Sequence, residues 1–86
     1  MPLEFSERFV KAYERLPKNT RFKVDKALHL LDADFRHPGL RAKRVKGAGD
    51  IYEARVDYKH RMTYQRRGDV LLMRNVGQHD DVLDSP

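Results

Sequence analysis

The apolar residues change their spacing halfway along the chain. In the first half they recur every three or four residues, as on one face of an α-helix. In the second half they alternate with polar residues, as in a β-strand that is buried on one side. The segment His37-Pro38-Gly39 separates the two patterns, because proline disfavours helix in the residue before it and glycine tolerates a reversal. The sequence therefore predicts an α+β fold whose helices precede its main strands.

Two amphipathic helices are predicted before that boundary. The apolar stripe of the first, with Ser6 as a candidate N-cap, consists of Phe5, Phe9, Ala12, Tyr13 and Leu16. The stripe of the second consists of Val24, Ala27, Leu28, Leu31 and Phe35. Pro17 interrupts the pattern between them, so we expect an N-terminal helical hairpin. Neither helix can bury its stripe alone, so we expect the hairpin to pack on a twisted, mainly antiparallel sheet.

Four strands are predicted after the boundary, and turn-forming residues separate them. They are Leu40–Lys46, Ile51–Asp57, Arg61–Arg67 and Val70–Val76. The second and third strands can bury their apolar residues on one side only if an odd number of residues connects them. A three-residue turn is therefore predicted, and it pairs Asp57 with Arg61, Arg55 with Thr63, and Glu53 with Gln65.

Length and composition restrict the class of protein. A chain of 86 residues has room for a single domain, 1–86, with one small core. No stretch approaches the roughly 20 apolar residues that span a bilayer, and the N-terminal residues lack the features of a signal peptide, so we expect a cytoplasmic protein with no membrane partner. The absence of cysteine excludes a disulfide framework and a thiolate zinc site. The four histidines are scattered, so we predict neither a metal site nor a cofactor.

Positive charge is concentrated in the middle of the chain. The formal net charge is +5, and residues 36–67 alone carry ten positive side chains against three negative ones. A concentrated basic surface attracts polyanions, of which nucleic acid is the usual one. The alternative is a solvated basic face that only keeps the protein soluble.

Alternation along the predicted strands gathers polar side chains on the sheet face away from the helices. These side chains are Glu53, Arg55, Arg61, Thr63 and Gln65, next to the basic strand with Lys43, Arg44 and Lys46. The final segment, 76–83, leaves the last strand and is expected to turn back over this face. A basic surface with His79 at its edge is therefore predicted.

Such a set of groups could cleave RNA without a metal. His79 is the best acid or base, because its unperturbed pKa lies near neutrality. Arg61 is the best phosphate clamp, because a planar guanidinium pairs bidentately with phosphate oxygens. Glu53 is a candidate base, or it orients an arginine. Flanking phosphates would be held by Lys43, Arg44, Lys46 and Arg55.

Each of these candidates also has an ordinary structural explanation. Glu53 could simply form an ion pair with a basic neighbour. His79, in a polar turn after Gly77, could only cap the backbone. His60 is expected to be solvated at a turn. Asp80 and Asp81 favour a helix start before an apolar pair, and they could alternatively position His79.

An ordered set of short motifs covers roughly the last half of the chain and resembles one family. The motifs are Leu40-Arg-Ala-Lys-Arg-Val-Lys-Gly47, Ile51-Tyr-Glu-Ala-Arg-Val-Asp57, His60-Arg-Met-Thr-Tyr-Gln65, Gly68-Asp69 and Arg74-Asn-Val-Gly-Gln-His-Asp-Asp-Val-Leu83. In this order, after a helical pair, they resemble the RelE/ParE toxin superfamily of toxin–antitoxin modules. The resemblance implies a helical hairpin against a curved antiparallel sheet.

The resemblance also implies roles for individual residues. Arg61 matches the arginine that contacts the scissile phosphate in the members that cleave messenger RNA, and His79 matches a catalytic histidine or arginine. Glu53 and Arg55 stand where some members have two active-site lysines, so only Arg55 preserves the charge. Leu83 stands where many active nucleases have an aromatic residue that stacks on a base or joins the chemistry.

A function follows from the resemblance as an expectation. It implies a toxin that acts as an endoribonuclease on messenger RNA, in the ribosomal A site, through attack of the ribose 2′-OH, with a cognate antitoxin as its protein partner. One alternative is a ParE-type toxin that inhibits DNA gyrase by binding it. The other alternative is a basic RNA-binding module without catalysis, whose binding would depend on salt.

Overall fold

The computed structural model describes residues 1–86. The chain forms strand β1 (Leu3–Phe5), helices α1 (Glu7–Glu14) and α2 (Lys18–Ala33), a short 3-10 turn (Pro38–Leu40), strands β2 (Lys43–Arg44), β3 (Ile51–Arg55), β4 (His60–Arg67) and β5 (Val70–Gln78), and helix α3 (His79–Asp84). The change from helical to strand spacing near residue 38 is thus confirmed.

The strands form one mixed sheet in the order β1-β5-β4-β3-β2. Its strand pairs are antiparallel except β1–β5, which is parallel. The α+β class and the mainly antiparallel sheet are therefore confirmed. The helical hairpin at the N-terminus is not confirmed, because β1 precedes the helices. Leu3 pairs with Leu71 and Phe5 with Met73, which are far away in the sequence. A strand of three residues is too short to show alternating apolar and polar positions, so the sequence pattern did not indicate it.

The two main helices cover one face of the sheet. Ser6 caps α1 as predicted, since its Oγ accepts a 3.0 Å hydrogen bond from the Phe9 amide. The core between helices and sheet is a cluster of buried side chains, which are Phe9, Val24, Ala27, Leu31, Leu40, Ala54, Met62, Tyr64, Leu71, Met73 and Val76. None of the helices combines the length and the hydropathy that a bilayer crossing requires.

The β3–β4 pairing differs from the predicted register by two residues. Arg55 pairs with Arg61 and Glu53 with Thr63. Five residues, 56–60, lie between the paired Arg55 and Arg61, so their number is odd as predicted but larger than the predicted three. Among them is Asp57, whose Oδ1 accepts hydrogen bonds from the Lys59 and His60 amides at 2.9 and 2.8 Å. An aspartate side chain that accepts hydrogen bonds from the amides two and three residues later stabilises a turn, so the strand ends before it. A shift of two residues keeps every side chain on its predicted face.

The strand predicted over residues 40–46 forms only at Lys43–Arg44. Leu40 is 1% exposed and anchors the preceding 3-10 turn in the core. Arg41 then has φ 46°, in the left-handed region, which is incompatible with an extended chain. The first half of the predicted strand is therefore a tight corner.

Strand β5 contains a bulge, and the chain after it folds back over the second face of the sheet. Thr63 pairs with Asn75 and Tyr64 with Met73, so Arg74 is the extra residue. Helix α3 packs on β4 and β5, with Val82 only 1% exposed. Gly77 faces it at close range: a Cβ at this position would lie 3.4 Å from a Val82 methyl group, which is an ordinary contact distance. The predicted return of the last segment over this face is confirmed.

Candidate functional site

Arg61 is fixed on β4 by its own neighbours. Its Nη1 donates hydrogen bonds to the carbonyl oxygens of Asp57, at 2.5 Å, and His60, at 2.9 Å. Its Nε lies 3.7 Å from Oε1 of Glu53, and its side chain is 18% exposed. The Nη2 group has no partner within the protein. The guanidinium is thus held in place with one edge available for an anion.

Glu53 lies in the middle of the second sheet face and is buried, with 5% exposure. It stands between Lys43 on β2 and Thr63 on β4 in the same row of the sheet. Arg55 and Arg61 are directly opposite each other, a placement in which like charges repel. The Glu53 carboxylate next to this pair reduces that repulsion, so its geometry favours the role of orienting Arg61.

His79 is the first residue of α3, directly after β5. Its Nδ1 lies 3.0 Å from Oδ1 of Asp80, and its amide donates to the carbonyl of Lys59 at 2.7 Å. Its side chain is 45% exposed. An Nδ1–H that donates to a carboxylate leaves the Nε2 lone pair free to accept a proton. Asp80 therefore both occupies the first turn of α3 and orients the imidazole.

The register of β4 and β5 brings Arg61 and His79 to the same end of the sheet. Arg61 pairs with Gly77 and His60 with Gln78, so His79 follows two residues after the partner of Arg61. The bond from the His79 amide to Lys59 fixes the start of α3 against the β3–β4 turn. Adjacent strands lie about 4.8 Å apart, so the two backbones are close neighbours here.

The remaining basic candidates are divided between the two faces. Lys43 pairs with Glu53 and Arg55 with Arg61, so both lie on the second face. Arg44 lies on the other side, where its Nη2 donates to the Tyr52 hydroxyl at 3.2 Å. Lys46 is exposed beyond the end of β2. Arg44 therefore lies on the opposite side of the sheet from Lys43 and Arg55, with which it was expected to hold phosphates.

The centre of the second face is covered by the end of the chain. Oγ1 of Thr63 donates to the carbonyl of Pro86 at 2.9 Å, and Thr63 is 0% exposed. Nε of Arg74 donates to the same carbonyl at 3.2 Å, and its Nη1 donates to Oε1 of Gln65 at 3.0 Å. Arg74 could not be predicted from the sequence, because the bulge changes the phase of β5 without any signal in the alternation.

A second histidine at this end of the sheet has a structural role. Nδ1 of His60 lies 2.9 Å from Oδ1 of Asp57, and its side chain is 13% exposed, so the expectation that His60 is solvated was wrong. Oδ2 of Asp57 lies 3.4 Å from Nζ of Lys23 on α2. Burial raises the pKa of Asp57, but hydrogen bonds from the His60 side chain and from the Lys59 and His60 amides outweigh it and lower the pKa to about 2. The turn is thus tied to α2 through a charged carboxylate.

Two tyrosines on the helix side are stacked behind the site. The rings of Tyr52 and Tyr64 are 5.7 Å apart and nearly parallel. Burial, and secondarily the charge of Tyr52, raise the pKa of Tyr64 to about 12. Tyr64 is therefore neutral near neutral pH, and it is 3% exposed on the side of the sheet opposite to Arg61. No cluster of three or more histidine or carboxylate side chains is arranged to hold a metal ion.

No protein-family model matches the chain, and no curated protein matches it. Solved structures do match it in fold. The structure of YafQ from E. coli strain BL21(DE3) is 15% identical, with a TM-score of 0.78, over 93% of this chain and 94% of that one. The RelB-RelE antitoxin-toxin complex from Methanococcus jannaschii gives 21% identity and a TM-score of 0.75, over 95% of this chain and 98% of that one.

A third match is the intact E. coli RelBE toxin-antitoxin complex, at 23% identity and a TM-score of 0.72, over 91% of this chain and 95% of that one. The three matches span nearly the whole of both chains. The chain therefore has the fold of the RelE/ParE-type toxin superfamily.

Proposed function

We propose that this protein is the toxin of a toxin–antitoxin system and that it is a metal-independent endoribonuclease acting on messenger RNA. The observation that carries the proposal is the position of Arg61. Its guanidinium is held against buried Glu53, with Nη2 free, at the sheet end where His79 begins α3. A phosphate-binding cation next to a proton-transfer group is the minimum that RNA cleavage requires.

The reaction is attack of the ribose 2′-oxygen on the adjacent phosphorus. The P–O2′ bond forms and the P–O5′ bond breaks, which leaves a 2′,3′-cyclic phosphate and a free 5′-hydroxyl. Nη2 of Arg61 stabilises the additional negative charge on the nonbridging oxygens. Nε2 of His79 transfers one of the two protons, and water transfers the other. Glu53 acts by holding Arg61.

Backbone phosphates on either side of the cleaved bond need further cations. Arg55 is opposite Arg61, and Lys43 is one strand further along the same face. Lys46 follows β2 on the exposed edge. We assign these three residues to phosphate contacts that position the RNA without reading its sequence. Messenger RNA presented in the ribosomal A site would supply a single strand with exposed 2′-hydroxyls.

The matched structures support the toxin assignment. Two of the three described above contain an antitoxin bound to its toxin. By analogy, a cognate antitoxin would bind this protein and cover the basic second face, where its acidic side chains would compete with RNA phosphates for Arg61 and Arg55.

Primer extension on messenger RNA from cells expressing the protein tests the proposal. We expect new 5′ ends after induction, and their loss in Arg61→Ala and His79→Ala. Arg67→Ala is the matched control, since Arg67 is an exposed arginine at the far end of the same strand. Undiminished cleavage in both site variants would refute the proposed site. Intact messenger RNA together with lost gyrase supercoiling would support the gyrase-inhibitor alternative.

A further inference from the structure

Three arginines lie over aromatic rings on the helix side of the sheet, away from the proposed cleavage site, and a fourth arginine lines the cavity beside them. The Cζ atoms of Arg36 and Arg66 lie 5.3 and 5.6 Å from the centre of the Phe35 ring. Cζ of Arg44 lies 5.5 Å from the centre of the Tyr52 ring. The guanidinium groups are thus placed over ring faces.

These side chains border two adjoining pockets. The larger, about 360 Å³, has Phe35, Tyr52 and Tyr64 as its aromatic lining and Arg36 and Arg41 as its cationic lining. The smaller, about 220 Å³, shares Phe35, Arg36 and both tyrosines and adds Arg66. We call this region the arginine–aromatic pocket and include Arg44 in it through its contact with Tyr52.

No carboxylate lines these pockets or forms an ion pair with their arginines. Neither pocket is lined by aspartate or glutamate. None of the ion pairs of the protein includes Arg36, Arg41, Arg44 or Arg66. All four are exposed. Each guanidinium therefore keeps N–H donors free for an anion while its face rests near an aromatic ring or lines the cavity.

The arginine–aromatic pocket is separate from the cleavage site. Tyr52 and Tyr64 alternate with Glu53 and Thr63 along their strands, so they lie on the opposite side of the sheet from Glu53 and Arg61. The Tyr52–Tyr64 pair is also three rows along the sheet from the Arg55–Arg61 pair. A ligand in this pocket would not compete with RNA at Arg61.

We propose that the arginine–aromatic pocket is a second RNA-binding site, which takes an unstacked base of a single strand and the phosphates beside it. Bases stack on aromatic rings and on guanidinium planes, and arginine forks pair with phosphate oxygens. The rings hold the guanidinium groups in place, and the outer guanidinium planes remain for a base. An acidic peptide would use the cations but has no flat ring to stack on these planes, so the lining favours RNA. The proposal concerns binding alone and does not depend on cleavage.

Fluorescence anisotropy with a labelled RNA of about eight nucleotides tests it. The measurement uses the full chain with Arg61→Ala, which keeps the RNA intact whichever way the cleavage proposal is decided. We expect the added pair Arg36→Ala and Arg66→Ala to weaken binding at least tenfold. The slope of log affinity against log salt, between about 50 and 200 mM, should fall by about 2, since about one counterion is released per phosphate contact.

A matched control separates this site from general attraction between charges. Arg15 is an exposed arginine at the end of α1, far from these rings in the sequence and without a side-chain bond. A pair made of Arg15→Ala and Lys11→Ala removes the same charge and should reduce affinity less than threefold. Circular dichroism should show both pairs folded, since all four residues are exposed.

Stacking of a base in the arginine–aromatic pocket can be measured separately, by fluorescence quenching. A 2-aminopurine base in the RNA should be quenched on binding, and the quenching should disappear in Phe35→Leu. An inorganic polyphosphate of equal charge should bind more weakly than the RNA. Equal effects of the two arginine pairs, no quenching, or tighter binding of a poly-glutamate peptide than of RNA would overturn the proposal.

Discussion

The carboxylate of Glu53 lies 3.7 Å from the guanidinium of Arg61, and both side chains are largely withdrawn from solvent. A buried carboxylate beside an arginine has two possible uses at an RNA-cleaving site: it can take a proton or it can fix the arginine. The positions of the two residues favour the second use.

Glu53→Gln should show whether Glu53 accepts a proton or only orients Arg61. The amide keeps the shape of the side chain but removes the negative charge beside Arg61, so we expect cleavage to fall by roughly tenfold or more. Unfolding in urea should show a loss of about 1–3 kcal/mol, the range for a buried polar group that loses its partner. If Glu53 only orients Arg61, the pH profile of the remaining activity keeps its shape. Disappearance of a limb of that profile would identify Glu53 as the base.

Replacement of His79 should affect proton transfer and leave the fold intact. His79→Ala should lower the cleavage rate by about 10²–10⁴, the usual contribution of a general acid or base. Asp80→Asn should have a smaller effect, because the imidazole stays in place and loses only the carboxylate that orients it. Cleavage of a short RNA measured across pH checks both variants, with Asp84→Asn as the control on the same helix.

Stability should depend on pH through Asp57. Its pKa is about 2 in the folded protein, against an ordinary value of 3.8. The stabilisation is therefore present above the ordinary value and is lost as the pH falls through 3.8 toward 2. Asp57→Asn should lower the free energy of unfolding by about 1–2 kcal/mol near neutral pH. The difference from the unsubstituted protein should shrink across that acidic window, and a constant difference would contradict the assignment.

The packing of helix α3 on the sheet should depend mainly on the buried side chain of Val82. Val82→Ala removes two methyl carbons from a residue that is 1% exposed, so we expect a loss of about 1–3 kcal/mol. Val10→Ala makes the same change at a residue that is 44% exposed and should cost less than about 0.5 kcal/mol. Thermal unfolding measures both. Because His79 begins α3, cleavage should fall in the Val82 variant and not in the Val10 variant.

The strand faces could be predicted from the sequence because alternation is a local property. Ala54 and Met62 are buried on the side that the alternation predicts, and Glu53 and Arg61 are on the other. The register could not be predicted, because it depends on the side chain of Asp57 binding the backbone of the turn. The odd turn length limited the error to two residues, which preserves the faces.

Other features depend on contacts between residues distant in the sequence. The pairing of Leu3–Phe5 with β5 spans most of the chain, and three residues are too few for a periodic signal. The bulge at Arg74 leaves no mark in the alternation, so this arginine was not among the candidates. Arg44 was grouped with Lys43 and Lys46 as one basic strand beside the cleavage face, but alternation within β2 places Arg44 on the face opposite to Lys43.

The bulge at Arg74 connects both ends of the described chain to the middle of the sheet. Its carbonyl accepts bonds from Oγ of Ser6 and Nε of Arg8, and its guanidinium donates to the carbonyl of Pro86. Opening of either terminal segment therefore removes partners from one shared residue. Hydrogen exchange should show the start of α1 and the end of the chain opening together, as a single cooperative unit, ahead of β4.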